Sequence, residues 1–154
     1  MSALIKDEEV SLDIIGGGKD LEKLQALSSE LGLDEHVNFL GRLENTKVLE
    51  HYANCSYVVV NSRVETFSVV AAEALMAGKP VVATRCGGLE EFIDEEQGIL
   101  IDVDDQKELL QALRKMNGEY SDYDPQKLHD HAAALFSKES VGKKLNDIYR
   151  SLIK

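Results

Sequence analysis

Short apolar runs alternate with amphipathic segments along most of this 154-residue chain. The apolar runs are DII, VNFL, YVVV, PVVAT and GILI, and most of the segments between them have the residue spacing of helices. Strands that are short, continuously apolar and separated by helices form parallel sheets whose two faces are covered. The sequence therefore predicts an α/β fold: a parallel sheet of about five strands with helices on both faces. A linker, NGEYSDYDP, is predicted after the last helix of the sheet, and two C-terminal helices are predicted from Pro125 onward.

The length and composition of the chain indicate one domain with a buried core. Hydrophobic residues make up 44% of the sequence and charged residues 29%. The formal net charge of −11 argues against binding to nucleic acid, and no apolar run approaches the length of about 20 residues that spans a bilayer. The N-terminus lacks the apolar segment of a signal peptide, and Cys55 and Cys86 stand far apart. We therefore expect a cytoplasmic protein with reduced thiols.

In open, Rossmann-like sheets of this type, ligands bind in the loops beyond the carboxyl ends of the strands. The first such loop, GGGKD, suggests a dinucleotide site, or else a tight turn of Gly16, Gly17 and Gly18 that lets a ligand or a neighbouring loop approach closely. The full fingerprint requires a third glycine where this chain has Leu21, and the loop after the next strand offers Gly41 and Arg42 instead of an acidic ribose ligand. Because an arginine suits a 2′-phosphate, an NADP-binding oxidoreductase domain remains an alternative.

Two other kinds of site lack their key residues. A phosphate-receiver domain needs an aspartate at the end of its central strand, where the run YVVV is followed by Asn61. The four histidines are dispersed, and His129 and His131 stand two residues apart, which places them on different sides of a helix. The sequence therefore predicts neither a receiver domain nor a metal site.

The stretch VETFSVVAAEALMAG contains the strongest functional pattern. A helix is predicted to begin near Phe67, so that its first-turn amides, from Phe67 to Val69, face a ligand such as a diphosphate with the positive end of the helix dipole. Glu65 lies just before this terminus, and Glu73 follows on the helix after seven intervening residues. A carboxylate accepts two hydrogen bonds and can hold a vicinal diol. The spacing fits a sugar and a ribose at the two ends of a diphosphate, although two solvated glutamates are also common in an acidic protein.

The wider segment ETFSVVAAEALMAGKPVVATRCGG resembles the retaining glycosyltransferases of family 4. Their signature is a glutamate, seven residues and a second glutamate, then a small–Gly–x–Pro–Val–Val–Ala–Thr strand and a Gly-Gly loop. The likeness runs from about Val10 to Ile153, and ALFSKESVGKKLNDIY resembles the closing helix of the family. Family members have the GT-B architecture of two Rossmann-like halves. The chain resembles only the C-terminal half, which binds the nucleotide-sugar donor, and the N-terminal acceptor half is expected to be absent.

The resemblance implies a role for individual residues. Glu65, at the catalytic position, would contact hydroxyls of the transferred sugar, and Glu73 would hold the nucleotide ribose. The other residues implied in donor binding are Thr66, Phe67, Ser68, Val69, Gly16, Gly17, Gly41, Arg42 and Leu43. Members transfer a sugar with retention by a front-face displacement and commonly need no metal or other cofactor. The implied partners are a nucleotide-diphosphate sugar and the missing acceptor domain.

The chain departs from the family pattern at two places. Thr66 and Ser68 stand where many members have glycine, which predicts an altered but intact pocket. The family's first strand, with the arginine and lysine that neutralise the diphosphate, is not found, because SALIKDEEV resembles the end of the helix that follows it. The nearest basic residues in the site loops are Lys19, Arg63 and Arg85.

Because this strand and its two basic residues are not found, we expect the chain to be an excised fragment. Such a fragment should transfer no sugar by itself and should bind a donor only weakly. Loss of a central strand also exposes strand edges, which favours self-association of the fragment. A non-catalytic α/β interaction module remains a third alternative beside the glycosyltransferase and the NADP-binding domain.

Overall fold

The computed structural model describes residues 1, 3–4 and 10–153. The strands are β1 (Leu12–Ile15), β2 (Val37–Gly41), β3 (Val58–Val60), β4 (Val81–Thr84) and β5 (Gly98–Ile101). The α-helices are α1 (Leu21–Glu30), α2 (Asn45–Asn54), α3 (Val69–Met76), α4 (Gln106–Glu119), α5 (Pro125–Phe136) and α6 (Lys138–Leu152). The predicted helix end before Val10 lies largely outside the described residues.

The strand pairs in this described part of the chain are all parallel, as predicted. β1 pairs with β2, and β3, β4 and β5 form a second sheet in that order. Hydrogen bonding thus gives sheets of two and three strands, where the apolar runs predicted one sheet of about five. Within the described residues, β1 and β3 each have a single partner strand, so each forms an edge of its own sheet.

The chain forms two compact units, Met1–His51 and Tyr52–Lys154. In the first unit, the β1–β2 ladder pairs Leu12 with Val37 and ends in a register shift at Ile15, opposite Gly41. His36 Nδ1 lies 3.0 Å from the carbonyl oxygen of Val10. The histidine therefore ties the entry of β1 to the entry of β2.

The core of the second unit is built around β4. Every residue of this strand has 0% exposed surface, as expected for the middle strand of a parallel sheet covered on both faces. Helix α3 contributes a buried face of small residues, and it packs against α5. At the end of α3, a Cβ on Gly78 would lie 2.8 Å from the Cβ of Pro125. The small residues therefore let the two helices approach closely.

Side-chain caps explain where the C-terminal helices begin. Asp105 accepts hydrogen bonds from two first-turn amides of α4, Asp124 does the same for α5, and Ser137 accepts one from α6. Pro125 occupies the first position of α5, where its missing N–H costs nothing. Ser68, which precedes α3, makes no such bond.

Two element boundaries differ from those predicted. Helix α3 begins at Val69 instead of near Phe67. Residues 117–125, predicted to be a linker, instead continue α4 to Glu119 and then form a 3₁₀ helix over Tyr120–Asp122. Tertiary contacts hold this segment, since the Tyr57 hydroxyl donates to Asn117 at 2.7 Å and Tyr123 packs against the core below α4. In the part of the chain that the structure describes, no helix is long and apolar enough to cross a bilayer.

Candidate functional site

The loop after β3 fixes both the backbone and the carboxylate of Glu65. Its amide donates to the carbonyl of Cys86 at 3.1 Å, and the amide of Gly88 donates to the Glu65 carbonyl at 3.0 Å. These bonds form a parallel bridge between Glu65 and Gly87. The hydroxyl of Ser62 donates to Oε1 of Glu65 at 3.1 Å. Glu65 is half-buried, so the carboxylate is held and still reaches the surface.

Gly87 and Gly88 allow the loop after β4 to lie directly against the loop that carries Glu65. A Cβ on Gly87 would lie 2.5 Å from the carbonyl oxygen of Glu65, and the residue has a φ of +123°. A Cβ on Gly88 would overlap the carbonyl oxygen of Thr66 and lie 2.9 Å from the Cα of Phe67. A larger residue at either position would displace residues 65–67.

Ser68 joins this loop to α3 in a conformation that is rare for serine. Its φ of +63° and ψ of +83° lie near the left-handed region, which residues other than glycine seldom adopt. The residue is 5% exposed, and its hydroxyl has no hydrogen-bond partner within the described chain. The glycine that the family resemblance expects here would adopt this backbone without strain.

The N-terminus of α3 faces solvent beside Glu65. The first intrahelical bond runs from the amide of Ala72 to the carbonyl of Ser68, so the amides of residues 69–71 precede the hydrogen-bond ladder. Val69 and Val70 are 59% and 47% exposed. These amides, with the positive end of the helix dipole, suit an anion. The predicted set of amides was 67–69, and only Val69 of that set lies in the first turn.

Glu73 lies on the exposed face of α3 and is held by Tyr52. The Tyr52 hydroxyl donates to Oε2 of Glu73 at 3.2 Å and also lies 3.4 Å from the carbonyl oxygen of Val70. Burial raises the pKa of the Tyr52 phenol, and the neighbouring Glu73 raises that pKa further by its charge and its hydrogen bond. The phenol therefore remains a hydrogen-bond donor, and it fixes the carboxylate from the protein side.

Three aromatic rings anchor the loop from the side of α5. Phe67 lies 5.0 Å from Phe136 and 5.8 Å from Phe92, measured between ring centroids. Phe92 and Phe136 are 5.1 Å apart in an edge-to-face arrangement. Such pairs contribute about 0.5–1.5 kcal/mol beyond their buried area. Phe67, predicted to face the donor, thus also packs within the unit, and it remains 40% exposed.

The arginines nearest the second-unit site are paired with aspartates. Arg63 Nε lies 3.1 Å from Oδ1 of Asp104, and Arg85 Nε lies 3.7 Å from Oδ1 of Asp102. Each of these four side chains is at least half exposed, so the pairs are weak and can rearrange. Neither arginine is fixed at the N-terminus of α3 by a contact that the structure gives.

The predicted glycine and arginine positions of the first unit lie at the ends of β1 and β2. The Gly16 amide donates to the Gly41 carbonyl at 2.7 Å, and a Cβ on Gly17 would touch the Arg42 side chain at 3.9 Å. Arg42 is exposed and Leu43 is half-buried. Within this unit, the two post-strand loops therefore come together as predicted from parallel strands.

The histidines make structural contacts. His129 Nδ1 lies 2.7 Å from the carbonyl oxygen of Met76, and His131 Nε2 lies 2.9 Å from that of Phe92. His51 lies 3.0 Å from a carboxylate oxygen of Asp13. The described residues contain no group of three or more histidine, cysteine, aspartate or glutamate side chains arranged to hold a metal.

Comparison with known proteins identifies the family. The profile of the family described as "Glycosyl transferases group 1" matches residues 1–137. The chain belongs to this family. A D-inositol 3-phosphate glycosyltransferase of Corynebacterium jeikeium is 36% identical over 146 residues, which cover 88% of this chain and 33% of that protein. An uncharacterized glycosyltransferase of Methanocaldococcus jannaschii is 35% identical over 113 residues, 73% of this chain and 32% of that protein. The chain thus spans about a third of the length of these curated relatives.

Solved structures share the fold. Sucrose-phosphate synthase from Thermosynechococcus elongatus has a TM-score of 0.85 at 26% identity, covering 98% of this chain and 41% of that one. HepE of Anabaena, solved in complex with UDP-glucose, has a TM-score of 0.82 at 23% identity. The match covers 97% of this chain and 43% of the HepE chain. The α/β, Rossmann-like fold and the resemblance to a GT-B glycosyltransferase half are confirmed.

Sequence reasoning missed the groups that hold the two glutamates. Tyr52, which contacts Glu73, lies on α2, and Thr84, whose hydroxyl accepts a hydrogen bond from the Ser62 amide at 3.1 Å, ends β4. Neither residue is near a glutamate in sequence. The only available signal for Thr84 was a hydroxyl at the end of an otherwise apolar strand, where buried polar groups need partners. Ser62 gave a weaker signal, being three residues before Glu65 in a post-strand loop.

Proposed function

We propose that this chain is the donor-binding domain of a retaining glycosyltransferase, which transfers a sugar from a nucleotide-diphosphate sugar to an acceptor. The observation that supports the proposal is the arrangement in the second unit. There, a held carboxylate, Glu65, precedes an exposed helix N-terminus, and a second held carboxylate, Glu73, lies along the same helix. The family membership supports the reaction class.

The diphosphate, the transferred sugar and the ribose of the donor each have a proposed contact in this unit. The first-turn amides of α3 bind the diphosphate, because they precede the helix ladder at the positive end of the dipole. Glu65 accepts hydrogen bonds from hydroxyls of the transferred sugar, and Glu73 accepts them from the ribose diol. Thr66, Phe67 and Ser68 lie between Glu65 and the amides and shape the intervening surface. In the first unit, the proposed donor-binding residues are Gly16, Gly17, Gly41, Arg42 and Leu43.

The proposed chemistry places Glu65 as an orienting group and not as a nucleophile. The leaving diphosphate develops negative charge as the sugar departs, and amides already directed at it stabilise that charge without reorganisation. Glu65 holds the sugar in the geometry for attack, and this positioning supplies part of the rate. No metal or other cofactor is required by this scheme. We further propose a cytoplasmic location, an acceptor-binding part outside this chain and weak self-association through the strand edges.

The proposal is tested by titrating the ¹⁵N-labelled chain with UDP-, GDP- and ADP-sugars, and with NADP as the competing ligand. Nuclear magnetic resonance detects weak binding and reports on individual amides. We expect at least one nucleotide sugar to shift the amide signals of residues 69–71 and of Glu65, with NADP producing smaller shifts. Larger shifts with NADP, or no shift with any nucleotide sugar, would overturn the proposal.

The alternative functions have less support. An NADP-binding oxidoreductase and a non-catalytic interaction module both fit the α/β fold, but the family profile and the named relatives are those of glycosyltransferases. No observation in the described residues favours either alternative over a nucleotide-sugar site.

A further inference from the structure

We infer that Thr84 is a positioning residue for Glu65 and acts through Ser62. The inference rests on the proposed function, since it concerns how the sugar-contacting carboxylate is held. Thr84 is the last residue of β4 and is 0% exposed, so its hydroxyl does not contact solvent or a ligand. Any effect on the sugar must therefore pass through its neighbours.

The Thr84 hydroxyl extends the pairing of β3 and β4 beyond the ends of the strands. The last backbone pair of the ladder joins Val60 to Ala83. Beyond this pair, the Thr84 hydroxyl accepts a hydrogen bond from the Ser62 amide at 3.1 Å and donates one to the Ser62 carbonyl at 2.5 Å. One hydroxyl thus satisfies both backbone groups of the same residue, which requires a side chain that donates and accepts.

The fixed backbone of Ser62 in turn sets the direction of its side chain. Its hydroxyl donates to Oε1 of Glu65 at 3.1 Å. The contacts form a chain from the buried Thr84 hydroxyl, through the backbone and hydroxyl of Ser62, to one carboxylate oxygen. The second carboxylate oxygen of Glu65 takes no part in this series of hydrogen bonds, and we assign that oxygen to the sugar. The longer contacts of Thr84, 3.4 Å to the Val60 carbonyl and 3.5 Å to Cys86 Sγ, are weaker.

Loss of the Thr84 hydroxyl should therefore change sugar recognition more than nucleotide binding. In Thr84→Val, a methyl group of similar size replaces the hydroxyl, and both backbone groups of Ser62 lose their partner. Ser62 is then free to shift, and Glu65 is no longer directed by its hydroxyl. Glu73, which is held by Tyr52, is not part of this chain of contacts. A purely structural role for Thr84 would instead lower stability and leave sugar recognition unchanged.

The test compares the affinity for the best nucleotide sugar with the affinity for its nucleoside diphosphate alone. Thr84→Val should reduce this ratio about three- to tenfold, the effect of about one net hydrogen bond. Thr84→Ser keeps the hydroxyl and should preserve the ratio. Ser62→Ala removes the hydroxyl that contacts Glu65 while leaving the backbone bonds to Thr84, and it should reduce the ratio to a similar extent. Because Thr84 acts through Ser62, the double variant should reduce the ratio no further than Ser62→Ala does.

Glu65→Ala separates a failure of this inference from a failure of the proposed function. If Glu65→Ala leaves the ratio unchanged, the proposed sugar contact is wrong and the inference falls with it. If Glu65→Ala lowers the ratio but folded Thr84→Val does not, the inference is overturned and the proposed function stands. If Thr84→Val does not fold, the result for Ser62→Ala tests the inference instead. An unchanged affinity ratio in Ser62→Ala would overturn the inference, because the Ser62 hydroxyl would then not direct Glu65 towards the sugar.

Discussion

The phenol of Tyr52 donates a hydrogen bond to the carboxylate of Glu73 at 3.2 Å, within the second unit. Tyr52 is 7% exposed, whereas Glu73 lies on the exposed face of its helix. A buried donor therefore fixes the rotamer of a carboxylate that would otherwise move freely in solvent. A carboxylate held in this way loses less conformational entropy when it binds a ligand.

Tyr52→Phe should weaken binding of the nucleoside diphosphate. Without its donor, Glu73 samples more rotamers, and ribose binding has to select one of them. We expect a loss of about three- to tenfold in affinity, equivalent to one modest hydrogen bond, while the additional affinity contributed by the sugar stays the same. The control is Tyr57→Phe, which removes a hydroxyl that donates to Asn117 instead. An equal loss in both variants, measured by calorimetric titration, would contradict a specific role for Tyr52.

Tyr52 should also make the protein less stable in alkaline solution. Its pKa in the folded chain is raised above the ordinary value near 10, by burial first and then by Glu73. Above about pH 10 the unfolded chain therefore loses this proton while the folded chain keeps it, and the free energy of unfolding falls as pH rises. Burial and the charges of Glu119 and Glu95 raise the pKa of Tyr123 in the same direction.

Urea unfolding between about pH 8 and pH 11 measures this decline. We expect a slope of up to about 1.4 kcal/mol per pH unit for each such tyrosine. Tyr52→Phe and Tyr123→Phe should each make the slope shallower, and the double variant should make it shallower still. A slope that is identical in wild type and Tyr52→Phe would mean that the phenol ionises equally in the folded and unfolded chains.

Ser68→Gly should stabilise the protein. Glycine removes the strain of a φ near +63°, about 1–2 kcal/mol, and it removes a buried hydroxyl without a partner, about 1–3 kcal/mol. The greater entropy of glycine in the unfolded chain offsets about 0.5–1 kcal/mol. These terms give a net gain of about 1–4.5 kcal/mol in the free energy of unfolding, with donor binding retained.

Asp104→Gly is the matched control for Ser68→Gly. Asp104 has a similar φ of +61°, but it is exposed, and its carboxylate accepts a hydrogen bond from Arg63. Aspartate tolerates the left-handed region better than most residues, so glycine should bring little gain there. Greater stabilisation by Asp104→Gly than by Ser68→Gly would show that the strain at Ser68 is already relieved.

Apolar runs predicted all five strands because burial on both faces leaves a clear sequence pattern. The division into sheets of two and three strands was not predicted, since hydrogen-bonded neighbours are not encoded in a run such as YVVV. The spacing of Glu65 and Glu73 at a predicted helix terminus made them candidates. That spacing alone did not separate them from solvated glutamates, and the family resemblance favoured the site. The start of α3 was misplaced because serine gives no sign that it will adopt a positive φ at residue 68. The partners Tyr52 and Thr84 depend on tertiary packing and are invisible to local patterns.

The most direct test of the account compares Glu65→Ala with Glu73→Ala in the binding of one nucleotide sugar and its nucleoside diphosphate. Glu73→Ala should weaken both ligands equally, by about 1.5–3 kcal/mol, because it removes hydrogen bonds between a charged group and the ribose that both ligands share. Glu65→Ala should weaken only the nucleotide sugar, by a similar amount, and leave the nucleoside diphosphate unchanged. Glu139→Ala, an exposed glutamate in the first turn of α6, serves as the control and should change neither affinity. Equal or negligible effects of Glu65→Ala and Glu73→Ala on both ligands would contradict the assignment and return the two glutamates to ordinary solvated residues.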